Sequence, residues 1–170
     1  METVFSFKID AGNPRNSSAY DATDATLSEA IYTIFPMDTE DAMLFWGDEG
    51  IPLSYRYDIS TMIDDILEML SALQSNDTGT WSVAWSSNTF AGTWDFKWFE
   101  NSLDIKAYWR EEFEASEYLK THTALKVERV QFIDEWKKVI GTLLRNLAEC
   151  GYTRIPVKLH TVSAWMYNTS

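Results

Sequence analysis

Trp81-Ser82-Val83-Ala84-Trp85-Ser86-Ser87, Thr93-Trp94-Asp95-Phe96-Lys97-Trp98-Phe99 and Leu103-Asp104-Ile105-Lys106-Ala107-Tyr108-Trp109-Arg110 are three closely spaced runs that decide the fold. Each alternates large apolar residues with small or charged ones, the period-two pattern of a strand with one face buried. Trp81, Val83 and Trp85 share a face in the first run. Trp94, Phe96 and Trp98 do so in the second, and Leu103, Ile105, Ala107 and Trp109 in the third. A four-residue connection over 99–102 sets Trp98 opposite Leu103 and Phe96 opposite Ile105. On the other face it matches Lys97 with Asp104 and Asp95 with Lys106, two favourable cross-strand charge pairs. A two-residue Asn101-Ser102 loop would oppose Lys97 to Lys106, and it lacks the glycine a type I′ turn prefers. The longer connection is therefore expected. Asp95, Lys97, Asp104, Lys106 and Arg110 then form a charge-balanced solvated face.

Upstream, Glu2 to Ile9 reads as a strand with Phe5, Phe7 and Ile9 inward, and Asp10 to Asp24 as a loop rich in turn residues. Thr26-Leu27-Ser28-Glu29 is a capping box opening a short helix, with Leu27, Ala30, Ile31 and Ile34 buried and a stop at Pro36. Asp38-Thr39-Glu40-Asp41 is an acidic connector. Met43–Trp46 and Ile51–Tyr57 read as strands joined through Gly47-Asp48-Glu49-Gly50, a hairpin with an acidic tip. Ser60 is the expected N-cap of a helix running to Gln74. Met62, Ile63, Ile66, Leu67, Leu70 and Leu73 form its apolar stripe, and Asp64, Asp65 and Glu68 lie elsewhere on the cylinder.

Downstream, Glu111 to Glu117 is a second acidic stretch in a loop or helical turn. Ala124–Val130 reads as a further strand. Gln131–Cys150 is a helix with Phe132, Trp136, Val139, Ile140, Leu143, Leu144 and Leu147 on its buried stripe and Gly151 as its stop. Ile155–Val162 reads as an edge strand, because Pro156 cannot serve a central one. Hairpins mixed with helices, without regular βαβ alternation, predict one α+β domain over residues 1–170. Its antiparallel sheet has an aromatic inner face covered by two main helices.

A hydrophobic content of 45% excludes general disorder. The opening residues lack a basic segment followed by an apolar run, so no secretory signal is expected, and no apolar stretch approaches membrane-spanning length. One cysteine, Cys150, excludes an internal disulfide framework and suits a reducing, cytoplasmic setting. Charge is more telling. Residues 1–77 carry 15 Asp/Glu against Lys8, Arg15 and Arg56, whereas residues 78–170 carry 11 acids and 11 bases, so the whole excess of −12 lies in the first part. That asymmetry argues against nucleic acid or an anionic membrane as partner and for a basic one. An acidic balance that simply maintains solubility is the plain alternative.

No phosphate loop, nucleophile elbow, H-E-x-x-H or Cys-x-x-Cys occurs, and no cofactor is expected. Asp21 and Asp24 lack the spacing of a calcium loop. Two facing carboxylates would make a hydrolase, but with 26 acids such a pair carries little weight. Cys150 at a helix C-terminus is disfavoured as a thiolate, and His122 and His160 have no sequence-local partner. Eight tryptophans raise a carbohydrate platform as an alternative, although most fall on inward faces. Trp46, beside the hairpin tip, is the one expected to be exposed.

The helix ending Leu143-Leu144-Arg145-Asn146-Leu147-Ala148-Glu149-Cys150-Gly151-Tyr152, preceded by Phe132 and Trp136, resembles the immunity proteins of bacterial polymorphic and contact-dependent growth-inhibition toxin systems. The tryptophan-rich meander of residues 81–110 adds to the likeness. The resemblance covers about half the chain, and no functional residue is carried across by motif. It implies a small cytoplasmic inhibitor, not an enzyme, that binds a cognate toxin such as a basic nuclease domain and covers its active site with carboxylates. The charge distribution is compatible with that mechanism. The residues expected at such an interface are Asp38, Glu40, Asp41, Trp46, Asp48 and Glu49, with Asp64, Asp65 and Glu68. The alternatives are a carboxylate-dependent hydrolase and a carbohydrate- or peptide-binding module.

Overall fold

A computed structural model describes residues 6–153. Along the chain it forms β1 (Phe7–Asp10), α1 (Leu27–Ile34), β2 (Ala42–Trp46), β3 (Glu49–Leu53), α2 (Ser60–Ser75), β4 (Thr78–Ser87), β5 (Phe90–Phe99), β6 (Ser102–Trp109), α3 (Glu117–Thr121), β7 (Ala124–Glu128) and α4 (Arg129–Glu149). The fold is α+β, with two antiparallel sheets where the sequence suggested one: β1-β2-β3 and β4-β5-β6-β7.

The meander takes the expected register. Trp98 pairs with Leu103, Phe96 with Ile105, Lys97 with Asp104 and Asp95 with Lys106. The strands run further than the aromatic pattern indicates, because Ser87 pairs with Phe90 across Asn88-Thr89, and Thr78 with Phe99. Gly79 is part of β4, and the Trp98 indole lies where its Cβ would be, only 2.5 Å away. Trp98 then donates its Nε1–H to the Asn76 carbonyl at 3.0 Å.

The inner face of this sheet packs against residues from the small sheet and from α4. Trp94 touches Phe7, Trp46 and Trp85, and Trp136 of α4 meets Trp85 and Phe7. The core is one hydrophobic cluster that includes side chains from both sheets and from α1, α2 and α4. Buried Nε1–H groups of Trp85, Trp94, Trp109 and Trp136 have no oxygen partner. Trp85 and Trp94 cross at 88° and Trp94 and Trp109 at 87°, the arrangement in which the positive edge of one ring meets the negative face of another.

The helices start and stop as their ends dictate. Thr26 and Glu29 form the expected capping box, and Leu27, Ala30, Ile31 and Ile34 are buried. At the end of α4, Gly151 at φ 93° lets its N–H reach the Ala148 carbonyl and the Tyr152 N–H reach the Leu147 carbonyl, a Schellman closure. One stripe of α4 also seals the outer edge of β1. Gln131 and Lys138 donate to the Phe7 and Ile9 carbonyls, and Glu135 accepts from the Ile9 N–H at 2.6 Å.

Three local expectations change. The β2–β3 turn is tighter, with Trp46 opposite Glu49 and only Gly47-Asp48 between them. Gly47 at φ 60° supplies the left-handed position. Second, β3 ends at Leu53, and Tyr55–Ile59 form a π-helical turn instead of more strand. Third, the cap before α2 is Ser54 rather than Ser60. Ser54 Oγ accepts from the Tyr57 N–H, and Asp58 Oδ2 accepts from the Ser54 N–H at 2.8 Å. Ser60 donates its hydroxyl to the Arg56 carbonyl instead. The expected strand at Ile155–Val162 and the Phe5 position lie outside the described residues.

Candidate protein-docking surface

Asp58 organises the region in which most of the expected acidic residues lie. It is buried, and its carboxylate accepts from the Ser54 N–H and from the Ser87 and Thr89 hydroxyls. These bonds tie the π-helical turn to the β4–β5 hairpin, so Asp58 is a structural fastener with its lone pairs engaged. Asp41, just before β2, feels its field. Partial burial first, and then the neighbouring Asp58 charge, push the Asp41 carboxyl above the usual 3.8.

The connector residues Asp38 and Asp41 are exposed beside this turn. Glu40 is also exposed, but one of its oxygens holds the Asn13 N–H at 3.0 Å. On α2, Thr61, Asp64 and Glu68 follow one another along the solvent stripe, and Asp65 beside them is half-buried. The fold thus brings the connector and the α2 acids to adjoining elements.

It does not bring Asp48 and Glu49 there. They follow β2, whereas Asp41 precedes it, a separation of about 20 Å at ~3.3 Å per residue. Asp48 is exposed at that far end, where its backbone N–H donates to the Tyr118 hydroxyl at 3.0 Å, and Glu49 is half-buried. Trp46 departs from expectation altogether. It is fully buried, tilted against Trp94 and edge-on to Trp109, and its Nε1–H donates to the His122 carbonyl at 2.6 Å. Its place on the inward parity of β2, with Leu44 and Ala42, is the reason.

Other acids of the first part are occupied locally. Asp10 accepts from the Gly12 N–H, Asp21 from Thr23, and Glu29 from the Ala25 and Thr26 N–H groups. Asp24 accepts from the Tyr152 hydroxyl. The ion pairs Lys120–Glu117, Lys126–Asp104 and Lys138–Glu135 lie within the later part, and Arg129–Asp77 joins the acidic part to a later base.

No family model, curated protein or solved structure matches the chain.

Aromatic residues outside the buried stripes also reach the surface at the π-helical turn. Tyr32 lies off the buried stripe of α1, and Tyr57 sits in the π-helical turn; both are exposed, and their rings meet at 6.0 Å. The Arg56 guanidinium lies 3.9 Å from the Tyr32 ring centroid and donates to the Tyr32 and Phe35 carbonyls at 2.9 Å each. Arg56 is also the only Lys or Arg between Arg15 and Lys97. That absence of bases between two numbered positions was a signal available in the sequence.

Features suited to catalysis are sparse among the described residues. They hold no group of three or more His, Cys, Asp or Glu placed to bind a metal ion. A shallow crevice between α1, α2 and α4 is lined by aliphatic side chains such as Leu67 and Leu144, and offers no polar group to a substrate. Burial pushes the Cys150 thiol up, away from the thiolate a nucleophile needs. Trp81 is the only tryptophan among the described residues that is exposed, which leaves no pair of rings for a sugar platform.

Proposed function

We propose that the protein is an immunity protein that binds and neutralises a basic toxin domain, such as a nuclease, by laying an acidic surface over its active site. The observation that carries this reading is the segregation of charge. Residues 1–77 hold 15 acids against three bases, and Asp77 pairs with Arg129 of the later part. Asp38, Asp41, Asp64 and Glu68 are exposed, and an excess of surface carboxylates raises the local concentration of a cationic partner and speeds its docking. The mechanism needs no catalytic group of the inhibitor's own. Its setting is the cytoplasm, where an incoming toxin would act. No helix among the described residues is long and apolar enough to cross a membrane.

The test is direct. The C-terminal domain of a secreted toxin encoded immediately upstream of this gene, purified in catalytically inactive form, is expected to form a stoichiometric complex with the protein. Adding the protein to the active domain should abolish its activity. A neighbouring toxin whose domain neither binds nor loses activity would remove the proposal.

A further inference from the structure

Three of the four outer strand edges in the two sheets are guarded. Side chains of α4 bond the outer edge of β1. β3 carries Glu49 and Pro52, and a proline has no N–H to offer. β7 turns Lys126 and Glu128 to solvent. A covering helix, proline and charge are the devices that keep a sheet edge from pairing with another chain.

β4 has neither charge nor proline. Its ten residues, Thr78–Ser87, carry none of either in a chain that is 24% charged. Among the described residues no strand lies beyond it. The Glu100 N–H donates to the Asp77 carbonyl, and the unbroken register repeats that bonded pairing at Gly79 with Trp98, Trp81 with Phe96 and Val83 with Trp94. The alternation of an antiparallel ladder then turns the N–H and C=O groups of Thr80, Ser82 and Ala84 away from β5. All three residues are exposed. α2 runs back along β4, because Asp58 just before it holds Ser87 and Thr78 follows just after it. The helix nevertheless leaves the middle of the strand open: Trp81 has the inward parity of Val83 and Trp85 and is still 36% exposed.

We infer that β4 pairs antiparallel with β4 of a second copy of this chain, across a two-fold axis at Trp81. Thr80 then bonds the partner's Ser82, and Ser82 the partner's Thr80. Trp81 faces the partner's Trp81 as a non-hydrogen-bonded pair, in which Cα atoms stand about 4.5 Å apart and side chains lie closest. Each exposed ring covers the other. The composition of the strand selects this occupant. A basic strand would find no carboxylate on β4, and an acidic one no base. A second β4 is already extended and held by its own β5, so little order has to be imposed on it, and it sets no like charges opposite one another. The neighbouring outward residues on β5, Asp95 and Lys97, balance as well. This pairing does not depend on the toxin-neutralising reading.

Sedimentation equilibrium of the full chain, over a range that covers dissociation constants from about 1 µM to 1 mM, is the test. A monomer–dimer equilibrium is expected. Each copy carries −12, so the dimer should tighten as salt is raised. Trp81→Glu and Trp81→Lys should each be monomeric, because like charges then meet at the axis, and should pair when mixed. Ala84→Lys alters a side chain already in water and keeps the test if the Trp81 variants lose their folded spectrum. It should weaken the dimer about tenfold or more by charging the edge. A chain that stays monomeric throughout, a dimer that Ala84→Lys leaves unchanged, or folded Trp81 variants that fail to pair when mixed would overturn the inference. A monomer that instead captures a capped Thr-Val repeat peptide would also overturn it and give the edge to a foreign strand.

Discussion

The Arg56 guanidinium lies 3.9 Å from the centroid of the Tyr32 ring while its Nη1 donates to the Tyr32 and Phe35 carbonyls at 2.9 Å. One side chain thereby satisfies orphan acceptors at the end of α1 and fixes that helix to the turn that opens α2. Arg56→Ala should lower unfolding free energy by about 2–3 kcal/mol, combining the charge-assisted bonds with the ring contact. Arg56→Lys keeps the charge but not the planar fork, and should recover less than half of that loss in urea titrations. A loss within error for Arg56→Ala would mean the two elements are joined without it.

Asp58 offers a sharper stability test. Its carboxylate collects the Ser54 N–H and the hydroxyls of Ser87 and Thr89. Asp58→Ala strands three donors in a buried site and is expected to cost about 3–4 kcal/mol. Ser87→Ala or Thr89→Ala leaves the carboxylate its other donors and should cost about 1 kcal/mol each. Unfolding midpoints in urea would rank them. Equal losses for all three would contradict the role given to the carboxylate.

Asp41 sets a pH dependence whose sign is opposite to that of a salt-bridged acid. Its folded-state carboxyl titrates above 3.8, raised by burial and by Asp58. The native state therefore holds the proton more tightly than the unfolded chain does. This contribution is present below the unfolded value and is lost as pH rises through the folded one. Asp41→Asn should raise the melting temperature at pH 7, with the gain shrinking as the pH is lowered towards 3.8. A gain that instead grew on acidification would refute the assignment. An acid held at a cost in the free protein is also one whose strain a cationic partner relieves.

The tryptophans divide into two kinds. Trp46 donates to the His122 carbonyl at 2.6 Å, whereas buried Trp136 has no oxygen partner. Trp46→Phe leaves an acceptor unpaired and Trp136→Phe removes an unpaired donor. The first should be more destabilising by about 1–2 kcal/mol in denaturant unfolding. The reverse order would show that ring packing outweighs these polar groups.

What the sequence could disclose followed its periodicities. The period-two runs from Trp81 to Trp109 and the charge pairs between them specify register, and the stripes of α1 and α4 specify which faces are buried. The stretch Leu53–Tyr57 deceived because its alternating apolar residues fit a strand, while the deciding bonds run from the Tyr57 N–H to Ser54 Oγ and from the Ser54 N–H to the Asp58 carboxylate. Trp46 deceived through its neighbourhood: an acidic turn follows it, but strand parity points its ring inward. The acids themselves were plain to see. Which of them share a surface was not, because Asp41 and Asp48 are seven positions apart in sequence yet separated by the length of β2.

The most direct test of the account is the salt dependence of association with the cognate toxin domain, measured on the unaltered chain and two charge variants. Neutralising Asp38, Asp41, Asp64 and Glu68 as Asn or Gln should slow association by about tenfold or more at low salt and flatten its dependence on ionic strength. Neutralising Asp48 and Glu49, at the far end of the β2–β3 hairpin, should leave both nearly unchanged. If the second variant loses as much as the first, or if association ignores salt throughout, the acids of the connector and α2 are not where the partner docks.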